Sequence, residues 1–116
     1  MNPDIENEVE KVQVHIDMVK EAIALSEELD TLANMPQFKT IILDGFMKDE
    51  PARLASIITD PNLLEDVDQR EILGALKAVG YLGDYLRNIE KRGAQMKQAL
   101  KEAEDYKTGL LNSEED

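Results

Sequence analysis

Ile72, Ala75, Val79, Leu82, Leu86, Ile89, Gly93, Met96, Leu100 and Ala103 follow one another at alternating three- and four-residue steps, and no proline interrupts residues 66 to 107. That alternation keeps the apolar side chains on one stripe of a helix and predicts a long seam against a second helix. Small residues at seam positions (Ala75, Gly93, Ala103) let two backbones approach closely, at a helix-propensity cost of about 1 kcal/mol for the glycine. Asp66, three residues before Gln69, supplies a capping pattern at the start.

A partner for that seam lies at the other end of the chain. Residues 3 to 33 contain no glycine and no proline after Pro3, and Asn2 followed by Pro3 is a good helix start. Ile5, Val9, Val12, Ile16, Val19 and Ile23 recur at the same alternating steps. A second apolar set, Val14, Met18, Leu25, Leu29 and Leu32, centres roughly 150° away around the helix, so this helix needs two partners over its second half. Residues 1 to 35 carry nine acidic and two basic side chains, whereas residues 66 to 107 carry eight of each. Arg87, Lys91, Arg92, Lys97 and Lys101 gather toward the end of the second helix, so an antiparallel pairing sets that end beside Asp4, Glu6, Glu8 and Glu10.

Between the long helices lie Pro36, Pro51 and Pro61. Asn34 or Met35 starts a short helix at Pro36 whose face is Phe38, Ile41, Ile42 and Phe46, although FKTIIL could instead form a strand. No second strand is available to pair with it. The stretch ILDGFMKDEPARL reads as a corner. Gly45 permits a turn, Asp49 or Glu50 with Pro51 restarts a helix, and Leu54, Ile57 and Ile58 form its apolar face before Asp60-Pro61. The predicted fold is therefore all-α: an antiparallel two-helix coiled-coil hairpin with two short helices at the tip. Its boundaries are about 3–33, 35–44, 50–59 and 66–107, within one domain spanning 1–111, followed by a disordered acidic tail at 112–116. The layout looks like that of prefoldin-type subunits without their strands.

Composition narrows the function. The chain has 116 residues, no Cys, two Phe, three Tyr and a formal net charge of -12. Lack of cysteine excludes thiolate catalysis and thiolate-bound zinc. The acidic balance disfavours direct binding to phosphate backbones or anionic lipid. The acidic opening MNPDIENEVE is unlike a basic signal-peptide start, and no apolar run reaches a membrane-spanning length. Both features predict a soluble protein that is not exported.

Candidate chemical motifs have plainer explanations. His15 is the only histidine and reads as solvated surface, since no second ligand accompanies it at metal-binding spacing. Asp44, Asp49 and Glu50 lack the alternating ligands of a calcium loop. Gly80 and Gly83 in VGYLGDY follow no strand, so a close helix contact suits them better than a dinucleotide loop. Paired carboxylates are expected in a chain with 25 acids, and a slender hairpin offers no desolvated cleft to tune one. No enzymatic activity, cofactor or metal is predicted. Tyr81 and Tyr85, four residues apart, could anchor a partner or pack locally on Phe38 or Phe46.

The segment NMPQFKTIILDGFMKDEPARLASIITDPNL, followed by a charged helix ending YLGDYLRNIEKRGAQM, resembles small proteins encoded among the structural and assembly genes of tailed bacteriophages. The pattern is Phe38-Lys39, Ile42, Asp44-Gly45-Phe46, an acidic pair, Arg53-Leu54 and Asp60-Pro61. It covers about a quarter of the chain. The resemblance implies a phage virion or assembly protein in the host cytoplasm or the virion, and it supplies no binding residues. The expected partners are a second copy or another phage protein, met through Leu25, Leu29, Leu32, Phe38, Ile42, Phe46, Tyr81 and Tyr85. The rival expectation is an acidic inhibitor that imitates nucleic acid and binds a host nucleic-acid-binding protein.

Overall fold

The computed structural model describes residues 2–64 and 68–115. Helix α1 (Pro3–Ala33) is opened by Asn2, whose side-chain oxygen accepts the N–H of Asp4 at 2.9 Å, while Pro3 takes the first helical position. It closes where the Asn34 amide donates to the Asp30 carbonyl at 2.8 Å. Met35 is extended, and Pro36 then begins α2 (Pro36–Phe38). A π-helical segment (Lys39–Asp49) and α3 (Glu50–Thr59) follow without a break. Asp60 ends α3 in an extended conformation, its carboxylate accepting the Asn62 N–H at 3.0 Å as α4 (Pro61–Leu64) starts. Helix α5 (Gln69–Glu115) is capped by Asp68, whose carboxylate accepts the Arg70 N–H at 2.9 Å. Every element is helical, so the all-α class holds, and residues 38–43 are helix with no strand among the described residues.

The chain divides into two units, Met1–Glu28 with Ile89–Asp116, and Leu29–Asn88. In the first, α1 and α5 pair antiparallel, because position falls along one as it rises along the other. The Lys107 ammonium donates to the Gln13 side-chain oxygen at 2.6 Å, while Ser26 meets Gly93. The predicted seams are the buried lines here: Ile16, Val19 and Ile23 of α1, and Gly93 and Ala103 of α5. Ser26 continues the α1 seam as a buried polar residue, satisfied by donating to the Ile23 carbonyl at 2.8 Å. This region is thus the helical hairpin that the heptad pattern predicts.

In the second unit the buried residues among those described are Leu29, Leu54, Ile72, Val79 and Gly83. A Cβ placed on Gly83 would lie 3.2 Å from the Met47 methyl, so α5 approaches the π-helical segment closely at that residue. Gly80 has no such neighbour within 4 Å, and only one of the two glycines thus marks a contact. The inward line at this end of α5 is Ile72, Leu76, Val79, Gly83 and Leu86, of which Leu76 and Leu86 are half-buried. Ala75, predicted on the seam, is exposed because Leu76 takes its place.

Several boundaries differ from expectation. There is no corner at Asp44-Gly45: no residue among those described has positive φ, and the chain stays helical from Pro36 to Thr59. The Glu50 N–H bonds back to the Gly45 carbonyl, five residues away, which widens the helix ahead of Pro51. Pro51, with no N–H and a bulky ring, is tolerated where the ordinary four-residue ladder has already been interrupted. Asp49 and Glu50 are accordingly both helical, and Asp49 makes no side-chain cap. Residues 112 to 115 continue α5 instead of forming a disordered tail, with Ser113 bonded to the Leu110 carbonyl at 2.8 Å. Leu111 and Thr108 line a groove with Gln13 and Ile16 of α1, which gives this last stretch a packing partner. Asp66, the expected cap, lies outside the described residues. Glu8 pairs with Lys11 of its own helix, at 3.6 Å.

Candidate interaction surface

Tyr81 and Tyr85 are 78% and 60% exposed, so they do not pack on Phe38 or Phe46 as the local alternative required. Gly83 explains their direction. Residues two before and two after a contact point on a helix point nearly opposite to it, and Gly83 is where α5 meets Met47. The close approach that buries the glycine therefore turns both tyrosines outward. They sit four residues apart on one face.

The other expected residues separate into three groups. Leu29 is only 6% exposed and belongs to the buried line of α1, not to the second stripe; the three-residue step from Ser26 carries it there. Phe38 and Ile42 are half-buried, and Phe46 is exposed only marginally. Leu32 is exposed in the same unit as the tyrosines, whereas Leu25, also exposed, belongs to the unit that contains the hairpin.

Two exposed apolar residues, Met35 and Ile41, were not expected. Ile41 had been placed on the inner face with Phe38 and Ile42 by a four-residue-ladder helix. From Phe38 into the π-helical segment the half-buried apolar residues are Phe38, Ile42, Leu43 and Met47, where 38–42 and 43–47 are four apart and 38–43 and 42–47 five apart, and Ile41 falls outside them.

The π-helical segment and α3 also frame a shallow groove of about 520 Å³ lined by Gly45, Phe46, Asp49, Glu50 and Arg53. Arg53 grips Glu50 with two bonds, Nε to Oε2 at 3.0 Å and Nη2 to Oε1 at 2.5 Å. The hydrogen bond from Arg53, helped by its charge, holds the Glu50 carboxyl below its ordinary value, and Glu50 raises Arg53 in turn. The groove is thus walled by an ion pair already satisfied within one turn. His15 is exposed and lines a separate groove of about 380 Å³ between α1 and α5, with Lys11, Val12, Glu102, Ala103 and Tyr106 among its neighbours. Among the described residues, no group of three acidic or histidine side chains could hold a metal ion, and no helix is long and apolar enough to cross a membrane.

What the arrangement offers chemically is outward apolar and aromatic surface on helices. Comparison with protein-family models, with curated proteins and with solved structures finds no match to this chain.

Proposed function

We propose that the protein works by protein–protein association, through the exposed apolar surface of residues 29 to 88, with Tyr81 and Tyr85 as its anchors. The observation that carries this reading is the outward tyrosine pair. Tyrosine supplies large contact area at low entropic cost and is enriched at interface centres. Leu32, Met35 and Ile41 add exposed apolar surface in the same unit. The reading involves no catalytic step and no cofactor. The double variant Tyr81→Ala, Tyr85→Ala tests it: stability should change by no more than about 0.5 kcal/mol, as for exposed sites, while the partner complex or oligomer is lost. A variant that retains full association removes the tyrosines from the interface.

More narrowly, we infer a phage virion or assembly protein, acting in the host cytoplasm or carried in the particle. The support is the resemblance of residues 34 to 63. Mass spectrometry of purified virions and assembly intermediates tests it, and absence from both counts against it. A second reading rests on the acidic face of α1, where Asp17, Glu21 and Glu28 are exposed: an inhibitor imitating nucleic acid for a host protein. Capture of a nucleic-acid-binding protein that is released steeply by salt would favour this second reading.

A further inference from the structure

We propose that copies of the protein bind one another head to tail, the outward stripe of α1 around Met18 and Glu21 of one copy meeting the outward stripe of α5 around Lys77 and Tyr81 of the next. This rests on the reading of the tyrosine face as an interaction surface, and it names what covers that face.

On α1, Val14, Met18, Glu21, Leu25 and Glu28 follow at steps of four, three, four and three, which is one helix face, and all five are exposed. Glu21 and Glu28 make no ion pair among the described residues. Asp17 beside them accepts a hydrogen bond from Gln13 at 2.9 Å and is exposed. On α5, Arg70, Leu73, Lys77, Tyr81 and Tyr85 follow at steps of three, four, four and four, and all five are exposed as well. Asp84 on this side is held by Arg87 at 2.5 Å, which offsets the main opposing charge.

The chain therefore carries two exposed apolar stripes of opposite sign. Pairing α1 with α1 would set Glu21 and Glu28 against like charges, and pairing α5 with α5 would do the same to Arg70 and Lys77. Only the mixed pairing matches apolar to apolar and acid to base at once. The stripes also match in length, about 21 Å from Val14 to Glu28 and about 23 Å from Arg70 to Tyr85 at the usual helical rise. Met18 brings a polarisable thioether to an aromatic partner. Because two different patches meet, the contact either closes into a ring of copies or repeats along an open chain.

Light scattering coupled to gel filtration, on the full chain, tests this with charge reversals at exposed helical positions; circular dichroism verifies that each variant stays helical. The native chain should exceed single-chain mass, increasingly so with concentration and less so as salt rises. Glu21→Lys with Glu28→Lys, or Arg70→Glu with Lys77→Glu, should each lower the mass to one chain, and mixing the two variants should restore assembly at one to one. Uniting all four substitutions in one chain should restore it too. Glu90→Lys with Asp105→Lys makes the same charge change at exposed positions of α5 beyond both stripes and should leave assembly intact. A native chain that stays monomeric at millimolar concentration, or reversals that leave the mass unchanged, would overturn the proposal. If the reversals are silent while Tyr81→Ala, Tyr85→Ala abolishes binding of a different protein, this inference falls and the reading of the tyrosine surface stands.

Discussion

Gly93 and Gly80 lie in the same helix and have the same propensity cost, yet their surroundings demand opposite outcomes on substitution. A methyl group on Gly93 would overlap the Ser26 side chain, and Ser26 is buried with its hydroxyl committed to the Ile23 carbonyl. Gly93→Ala should therefore force the two helices apart and lose about 1–3 kcal/mol, despite the better helix former. Gly80 faces open space, so Gly80→Ala should gain about 1 kcal/mol. Thermal melts of the two variants should move in opposite directions. A second residue-scale expectation concerns Glu50, whose carboxyl titrates below its ordinary value because Arg53 donates to it. A lowered folded value means the pair stabilises above the unfolded carboxylate range and stops doing so as pH falls through the folded value. Arg53→Ala should return the Glu50 titration, followed by carboxyl NMR, upward to that range. The pair lies at the surface, with Arg53 exposed and Glu50 partly covered, so its loss should leave the neutral-pH melt almost unchanged.

At the scale of elements, the π-helical segment is where local stability should be lowest. It contains no buried residue, and its five-residue bonding pattern is less favourable than the α ladder. Amides of residues 39 to 49 should exchange on the order of tenfold faster than those of residues 16 to 26 and 93 to 103, which line the buried seam. Equal protection would show that this segment opens only with the whole unit. The same contrast explains what the sequence could convey. Both long helices were legible because a three-four alternation survives over many turns and only a helix satisfies it. The segment from Lys39 to Asp49 was not, since Asp44-Gly45 before Pro51 has the composition of a turn and nothing in residue identity distinguishes a widened helix from one. Leu29 and Ala75 were misplaced for a related reason: a seam that drifts by one residue at its end exchanges a buried position for an exposed one. The tyrosine pair could be found as a pair, but its direction depended on which of Gly80 and Gly83 touches Met47, and spacing alone treats those two alike. The acidic end of α5 read as disorder by charge, while Leu110 and Leu111 continue the helix along α1.

For the molecule as a whole, the formal net charge of -12 over 116 residues sets two salt effects against each other. Like charges crowded on one short chain destabilise the compact state through self-repulsion, most strongly when screening is weak. Raising ionic strength from about 0.01 M to about 0.15 M shortens the screening length from about 30 Å to about 8 Å. The melting temperature of dilute protein should therefore rise by several degrees over that range, because the seam is apolar and contributes no salt-sensitive attraction to lose. Association between an acidic stripe and a basic one should weaken over the same range. Following melting and scattering together at several protein concentrations separates the two effects: stability of the single chain increases with salt while its assembly decreases. If the melting temperature instead fell with salt at high dilution, ion pairs within the chain would outweigh its net charge, and the exposed carboxylates of α1 would no longer be available to a partner.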